Sequence, residues 1–290
     1  HRQTGGQSVD LSRERFALYV PAKAPPQGYG LLVFVPSWED ARVPQPWLSA
    51  LNRHGMIFVT AARSGNDADV FNRREPLALL AAHNVMQRYR VDPRRVYIGG
   101  FSGGSRVTLR LALAYPDVFH GALLEAGSDP IGSADIPLPP ADLMQRFRQD
   151  SRIVYLTGTE DMLHLAQDAR SRDSLQTWCV FDVDTEALRG TGHDVADGAG
   201  FGRGLRALEK HETSDPDRQS DCRQPIQQAL DSQLREARTL LEQNRPAEAR
   251  ELLERIDARY GGLAAPASTA LMRKMESSGE APPATAHSNP

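Results

Sequence analysis

Short apolar segments alternate with helix-length amphipathic segments over residues 16–212 of this 290-residue chain. Several of the apolar segments are continuous, which is the pattern of strands buried on both faces of a parallel sheet. Helices must then cover both faces of that sheet. The sequence therefore predicts an α/β fold built on a mostly parallel sheet flanked by helices. The predicted strands lie at residues 16–20, 31–35, 56–61, 95–98, 122–126, 153–156 and 180–183.

Four helices are predicted between these strands from amphipathic periodicity, and the first three end close to Gly, Pro or basic residues. They cover residues 46–53, 76–89, 105–115 and 141–148. The Gly-rich segment at residues 198–204 is only superficially similar to a dinucleotide-binding loop, because no strand leads directly into it. We expect a mobile loop in this segment and no cofactor bound to it.

The composition changes after the α/β domain, which is predicted to span residues 15–212. Residues 213–225 are polar and contain Ser-Asp-Pro, which predicts a linker. Apolar residues then recur at steps of three and four, which predicts a tetratricopeptide-like helical hairpin over residues 226–276. A single hairpin cannot bury its own apolar face, so we expect it to dock on the α/β domain or on another chain. Residues 1–14 and 277–290 are predicted to be tails, the second one disordered.

Residues 100–104, Gly-Phe-Ser-Gly-Gly, lie between a predicted strand and a predicted helix. They match the Gly-x-Ser-x-Gly pattern, in which a serine stands on a sharp strand-to-helix turn. Glycines flank the serine because this turn tolerates almost no side-chain bulk. A hydroxyl projecting from such a turn becomes a useful nucleophile when a general base lies next to it. Ser102 is therefore the predicted nucleophile of a hydrolase.

Such a serine requires an acid and then a histidine further along the chain. Asp161 follows the predicted strand at residues 153–156, at the sheet edge where α/β proteins place ligand-handling groups, and is the predicted acid. The adjacent Glu160 is the alternative. His193 lies in a Gly-containing loop after the last predicted strand and is the predicted general base. His164 is the rival base, but it precedes the last strand.

Backbone N–H groups must stabilise the negative charge that develops on a carbonyl oxygen during the attack. The N–H of Gly103, in the first turn of the helix after the serine, is one predicted donor. The loop after the second predicted strand should supply the other. Pro36 has no N–H, so we expect Ser37 or Trp38 to complete this oxyanion hole.

Residues 91–104, VDPRRVYIGGFSGG, resemble the elbow region of the polyhydroxybutyrate depolymerase and feruloyl esterase group of α/β-hydrolases. The continuation, with Ala112 and YPDVF at residues 115–119, is similar to the same group. The resemblance implies the α/β-hydrolase fold and a carboxylic ester substrate, either small or oligomeric. It also implies catalysis without a metal ion or an organic cofactor, often by exported enzymes.

One difference from this group leaves three hypotheses open. Its members usually carry a His-Gly pair where this chain has Pro-Ser-Trp at residues 36–38. The first hypothesis is a serine esterase that forms an acyl-enzyme on Ser102, because nucleophile, acid and base occur in the expected order. The second is a peptidase of the same fold. The third is a catalytically impaired domain that acts as a binding or scaffold module, with its C-terminal helices contacting a protein partner or a second copy.

The charge and the cysteine content limit which classes of binding partner and which cellular location the sequence favours. The formal net charge is −3, from 34 basic and 37 acidic residues spread along the chain, which does not favour nucleic acid as a partner. No apolar segment reaches the roughly 18 residues that a membrane span needs.

Cys179 and Cys222 are compatible with one disulfide bond or with two free thiols. The chain begins at His1 rather than at methionine, which is compatible with a cleaved signal peptide, and we expect a secreted or periplasmic protein.

Overall fold

The structure is a computed structural model that describes residues 9–10, 12–210 and 215–279. In this part of the chain, one sheet has the strand order β1-β3-β2-β4-β5-β6-β7. The first strand pairs with the third in antiparallel orientation and all other pairs are parallel, which confirms the predicted α/β architecture. The strands are β1 (Phe16–Tyr19), β2 (Tyr29–Val35), β3 (Met56–Ala61), β4 (Val91–Phe101), β5 (Gly121–Glu125), β6 (Arg152–Gly158) and β7 (Val183–Leu188).

Helices cover both faces of the sheet. Successive side chains of β2 alternate between two hydrophobic clusters, with Leu31 and Val33 in one and Leu32 and Phe34 in the other. This alternation explains the continuous apolar strands, because each strand is buried on both sides. The helices are α1 (Leu48–His54), α2 (Glu75–Arg88), α3 (Gly103–Ala114), α4 (Ala141–Asp150), α5 (Met162–Thr177), α6 (Gly198–Glu209), α7 (Pro216–Glu242), α8 (Pro246–Tyr260) and α9 (Ala267–Gly279).

The expectation of a mobile Gly-rich loop at residues 198–204 is wrong, because these residues form the first half of α6. The glycines allow the helix to lie close to the sheet. A Cβ on Gly200 would approach the side chain of Leu188 to 2.4 Å, and one on Gly204 would approach Leu123 to 3.0 Å. Each helical glycine costs about 1 kcal/mol relative to alanine, so a local pattern with four of them favours a loop. Tertiary packing overrides that preference.

The prediction of the last strand at residues 180–183 is also wrong, since β7 begins at Val183 and not at residue 180. Val180 is buried, but in the turn that follows α5. The apolar residue at position 180 therefore reflects burial in the core and does not indicate a strand. Sequence periodicity missed α5 itself, whose few buried side chains include the polar Asp168 and Ser171, so that the helix has no apolar stripe.

The predicted linker at residues 213–225 is helical from Pro216 onward, while residues 213–214 lie outside the described part of the chain. Asp215 caps α7, because its side chain accepts hydrogen bonds from the N–H groups of Asp217 and Arg218. Proline is favoured at the first helical position, where no intrahelical hydrogen bond is lost. The Ser-Asp-Pro sequence therefore marks a helix start.

Both predicted tails differ in part from the structure. The second tail begins inside α9, which continues to Gly279, and residues 280–290 lie outside the described residues. At the other end, Glu14 is buried and accepts hydrogen bonds from Arg73 and Arg63, so the folded domain begins before residue 15. Residues 1–8 and 11 lie outside the described part.

The C-terminal helices dock on the α/β domain, one of the two arrangements that were expected. α7 and α8 form the predicted hairpin, and α9 adds a third helix. Leu230 and Tyr260 belong to the same hydrophobic cluster as Phe147 of α4. The buried side-chain amide of Gln219 donates a hydrogen bond to the carbonyl oxygen of Arg148 at 2.9 Å. The apolar face of the hairpin is therefore covered by its own chain.

Cys179 and Cys222 form a disulfide bond. It joins the turn after α5 to the second turn of α7. Of the two alternatives left open by the sequence, the structure has the crosslink. The disulfide therefore ties the C-terminal helices to the α/β domain.

Among the described residues, no helix is long and apolar enough to cross a membrane.

We predict that the double variant Cys179→Ala, Cys222→Ala lowers the free energy of unfolding by about 2 to 4 kcal/mol, because the crosslink restricts the unfolded chain. The two cysteines are 43 residues apart in the sequence. Denaturant titrations followed by circular dichroism measure the change. Wild type in reducing agent should match the double variant, and the variant should not respond to reductant. Equal stability of all four samples would contradict the prediction.

Candidate active site

Ser102 occupies the sharp turn between β4 and α3. Its backbone has φ +55° and ψ −122°, a conformation that is unfavourable for a residue with a side chain. The N–H of Ser102 donates a hydrogen bond of 2.8 Å to the carbonyl oxygen of Glu125, at the end of the neighbouring β5. The turn thereby fixes the hydroxyl at the carboxyl ends of the parallel strands, the edge where α/β folds place their sites.

Two glycines give this turn the room it needs. A Cβ on Gly100 would lie 2.5 Å from the carbonyl oxygen of Gly104. A Cβ on Gly104 would lie 2.0 Å from the carbonyl oxygen of Val35. Real Cβ atoms do not approach this closely, so both positions require glycine, as the sequence pattern predicts.

The structure brings Ser102, His193 and Asp161 together in one hydrogen-bonded chain. The Nε2 atom of His193 lies 3.1 Å from the Oγ atom of Ser102. The Nδ1 atom of His193 lies 2.7 Å from Oδ2 of Asp161. Glu160, the alternative acid, is exposed, and its backbone N–H donates to the carbonyl oxygen of Thr191 at 3.0 Å. Glu160 thus supports the loop that carries His193.

Asp161 is a buried carboxylate at the N-terminus of α5, with 6% of its side chain exposed. Burial raises the pKa of Asp161, but the hydrogen bonds from His164 and His193 outweigh this effect and hold the pKa below its usual range. The carboxylate is therefore ionised at neutral pH. In that state it can orient a histidine ring and stabilise the positive charge of a protonated one.

His164, the rival base, lies on the other side of Asp161. Its Nδ1 atom is 2.7 Å from Oδ1 of Asp161. Its ring stacks on that of His193, with 4.0 Å between the ring centroids and 15° between the ring planes. His193, and not His164, is hydrogen-bonded to Ser102. His164 is therefore a second hydrogen-bonding partner of the acid.

The same three side chains form a possible metal-ligand set. Within the described residues, Asp161, His164 and His193 are the one group whose potential ligand atoms all lie within 4.8 Å of one another. A metal ion held by all three would have to displace hydrogen bonds that these atoms already make. Both oxygens of Asp161 and the Nδ1 atoms of both histidines are hydrogen-bonded without a metal, so we assign them to hydrogen bonding.

The loop of residues 189–197 holds His193 above the sheet. The indole Nε1 of Trp47 donates a hydrogen bond of 2.7 Å to the carbonyl oxygen of Ala196. The N–H of Ala196 donates to Oε2 of Glu125 at 3.2 Å. Because the N–H of Ser102 donates to the Glu125 carbonyl oxygen, Glu125 connects the serine turn to the histidine loop.

The predicted oxyanion loop, residues 36–38, lies beside the start of α3. The buried guanidinium of Arg74 donates hydrogen bonds to the carbonyl oxygens of Pro36, at 2.8 Å, and Ser64, at 3.0 Å. Burial lowers the pKa of Arg74 to about 10 although Glu39 opposes the shift, so Arg74 remains charged at neutral pH. It fixes the loop that contains Ser37 and Trp38.

Two tryptophans near this loop have different environments. Trp47 is fully buried and stacks on Phe201, with 4.0 Å between the ring centroids, so it belongs to the core and not to a pocket. Trp38 is partly buried, and its ring centroid lies 6.2 Å from that of Phe101. Since Phe101 immediately precedes Ser102, Trp38 packs beside the strand end that leads into the serine turn.

A cleft of about 590 Å³ opens beside Ser102 and Gly103. Its wall combines apolar and charged groups. Phe71 has 63% of its surface exposed and lies under the guanidinium of Arg110, 4.6 Å from the ring centroid. Asn66 also lines the cleft, and its N–H donates to the carbonyl oxygen of Ser37 at 3.2 Å. The other lining residues are Val70, Arg74, Arg106, Val107, Asp129, Ala134, Asp135 and Ile136.

Sequence patterns did not identify Asn66, Arg74 or Glu125. Each contacts a predicted site loop from a distant position in the chain, and none belongs to a recognisable motif. The signal that placed Ser102 was local, whereas these contacts arise only when the strands assemble. The sequence indicates His164 only as a rival of His193 for the role of general base.

We predict that Glu125 makes the stability of the protein depend on pH. Burial raises its pKa from 4.5 to about 8, and the hydrogen bond from Ala196 opposes this only in part. Between these values the folded protein keeps a proton that the unfolded chain releases, so stability falls as pH rises, by at most about 1.4 kcal/mol per pH unit. Glu125→Gln, which is neutral throughout, should gain stability relative to wild type from about pH 5 to pH 8. Denaturant titrations at several pH values measure this difference, and a constant difference would contradict the prediction.

No family model matches this chain. A segment of 94 residues is 33% identical to the poly(3-hydroxyalkanoate) depolymerase C of Paucimonas lemoignei. The match covers 28% of this chain and 23% of the depolymerase, so it spans about a quarter of the length of that relative. The similarity is therefore local.

Solved structures of known hydrolases have a similar fold. An S-formylglutathione hydrolase from Staphylococcus aureus is 14% identical, with a TM-score of 0.52 over 68% of this chain and 91% of the other. An α/β hydrolase enzyme from a Medee basin deep-sea metagenome library is 16% identical, with a TM-score of 0.52 over 72% and 94%. A ferulic acid esterase is 15% identical, with a TM-score of 0.50 over 67% and 90%. Together with the parallel sheet and the turn at Ser102, these likenesses show that the chain has the α/β-hydrolase fold.

Proposed function

We propose that this protein is a serine hydrolase that cleaves a carboxylic ester through an acyl-enzyme on Ser102. The observation that carries the proposal is the continuous hydrogen-bonded chain from Ser102 Oγ through His193 to Asp161. This geometry matches the requirement for a serine nucleophile, a base within hydrogen-bond reach and a group that orients the base.

In the proposed reaction, Nε2 of His193 accepts the Ser102 proton while Oγ bonds to the acyl carbon. Asp161 keeps the ring oriented and stabilises its positive charge. The tetrahedral intermediate then collapses, the bond to the alcohol oxygen breaks, and the alcohol leaves with the proton from Nε2. Water, deprotonated by His193, attacks the acyl carbon, and the released serine oxygen regains the proton. The products are a carboxylic acid and an alcohol.

The oxyanion of each tetrahedral intermediate would be stabilised by the N–H of Gly103 and by that of Ser37 or Trp38. Arg74 supports this assignment, because its two hydrogen bonds fix the loop of residues 36–38 before substrate binds. Donors that are fixed in advance need no reorganisation during the reaction. A loop without the His-Gly pair can therefore still provide a preorganised site.

The surroundings of Ser102 favour a substrate with apolar parts. Phe71 lies in the cleft beside the serine and has 63% of its surface exposed. An exposed aromatic ring in the wall of a cleft offers an apolar contact to a bound molecule. We therefore propose a small or oligomeric ester, consistent with the names of the depolymerase and the esterase to which the chain is similar.

Two other functions would use the same fold. A peptidase would employ the same three residues, so only its ability to cleave peptide amides distinguishes it. A catalytically impaired binding module is the second candidate, and the Pro-Ser-Trp sequence at residues 36–38 favours it.

We also propose a secreted or periplasmic location, because structural disulfides persist in oxidising compartments and this chain has one.

We predict that a fluorophosphonate probe labels wild type once, at Ser102, and that Ser102→Ala is not labelled. Hydrolysis of p-nitrophenyl esters should fall by a factor of at least about 10³ in the variant, because the nucleophile is lost. Ser105→Ala is a matched control. The Ser105 hydroxyl is buried and has no hydrogen-bond partner in the described residues, so its removal should leave labelling unchanged. Intact-protein mass spectrometry and absorbance assays provide the two measurements.

Each alternative has its own outcome in this experiment. A folded wild type that stays unlabelled would support the impaired binding module and exclude the esterase. Labelling together with turnover of peptide amides would identify a peptidase. Turnover that depends on the acyl length would support the esterase and define its preferred acyl group.

A further inference from the structure

The side of Asp161 that the proposed reaction does not use is occupied by His164. His193 contacts Oδ2 of the carboxylate, whereas Nδ1 of His164 contacts Oδ1 at the same distance of 2.7 Å. Both oxygens of the acid therefore have an imidazole partner. The backbone N–H of His164 adds only a long contact of 3.4 Å to Oδ1.

Helix geometry explains why these two side chains meet. Asp161 is the N-cap of α5, and His164 is the third residue of the helix. A side chain at this position can fold back onto the cap, as in other reciprocal capping arrangements. The contact therefore depends on a local Asp-x-x-His pattern, while the contact with His193 spans 32 residues.

The ring of His164 has little freedom to move. Only 12% of its side chain is exposed. A Cβ on Gly127 would lie 2.4 Å from the Cδ2 atom of His164, so the imidazole packs closely against the Gly127 backbone. The ring also stacks on that of His193. A confined ring can hold its partner at a fixed angle.

The charge of Asp161 determines where the protons lie. A neutral imidazole has one N–H donor and one acceptor nitrogen. Because the carboxylate is ionised and can only accept, a nitrogen at 2.7 Å from it must carry the proton. Nδ1 of His164 and Nδ1 of His193 therefore both donate to Asp161, and Nε2 of His193 is left free to accept the Ser102 proton.

We propose that His164 is a positioning residue of the active site. Its Nδ1–H holds the Asp161 carboxylate in the rotamer that presents Oδ2 to His193, and thereby aligns the base with Ser102. This inference rests on the proposed roles of Ser102, His193 and Asp161. His164 itself does not contact the reacting atoms. Its donor, rather than its stacking, is the property on which the alignment depends.

Two variants distinguish the effect of the His164 hydrogen bond to Asp161 from the effect of ring stacking on His193. His164→Asn keeps a side-chain N–H near the position of Nδ1 but removes the ring. His164→Phe keeps a flat ring against His193 but has no donor. We expect the Asn variant to keep kcat for a p-nitrophenyl ester within about threefold of wild type. The Phe variant should lose about 10-fold to 100-fold in kcat, the value of a hydrogen bond to a charged group, with KM changed less than about twofold.

The pH profile adds a readout that a purely structural role would not change. In the Phe variant, the acidic limb of the kcat/KM profile should move to higher pH, because loss of the His164 hydrogen bond raises the pKa of Asp161. In the Asn variant the limb should stay near that of wild type. Equal melting temperatures of the three proteins would show that the differences are not caused by unfolding. A Phe variant with wild-type kcat, or an Asn variant as slow as the Phe variant, would overturn the proposal.

A measurement without turnover keeps this inference separate from the proposed function. In ¹⁵N-histidine NMR spectra of the uncharged rings, we expect His164 and His193 both to carry their proton on Nδ1, and the His164 signal to vanish in the Phe variant. A His164 proton on Nε2 would overturn the positioning role even in an active enzyme. Failure of the fluorophosphonate to label wild type would instead overturn the proposed function, while the proton position still decides whether His164 holds Asp161.

Discussion

The strained backbone of Ser102 is the constraint on which the rest of the site depends. A side chain at φ +55° is costly, and it persists because surrounding contacts determine the turn completely. Gly100 and Gly104 provide the space, and the Glu125 carbonyl oxygen accepts the serine N–H. Once the turn is fixed, the hydroxyl has one direction to face, toward the loop that carries His193.

Two buried carboxyl groups near this turn have opposite electrostatic states. Asp161 accepts hydrogen bonds from two histidines and stays ionised, whereas Glu125 has a raised pKa and stays protonated at neutral pH. The difference follows from their partners, because one backbone N–H cannot compensate for the complete burial of Glu125. Asp161 can therefore stabilise charge on His193, and Glu125 can connect the serine turn to the histidine loop without adding a second negative charge.

The sequence predicted those features that depend on local patterns. Continuous apolar segments predict the strands of the sheet. The Gly-x-Ser-x-Gly pattern predicts the turn at the serine and an acid followed by a histidine further along the chain. Prediction failed where long-range packing overrides local preference, as in the Gly-rich start of α6, which lies close to the sheet because it has no side chains there. The link from Arg74 to Pro36 had no local signal at all, since 38 residues separate the two. The docking of the C-terminal helices was open for the same reason, because an apolar stripe does not specify which surface covers it.

The most direct test of the central claim is to trap the covalent intermediate. Wild type is mixed with p-nitrophenyl acetate, quenched in acid within the first turnover, digested and examined by mass spectrometry. The account predicts an acetyl group on Ser102 and no such group in His193→Ala at the same time. An acetyl group on another residue with Ser102 unmodified, or steady ester hydrolysis that persists in Ser102→Ala, would contradict the account.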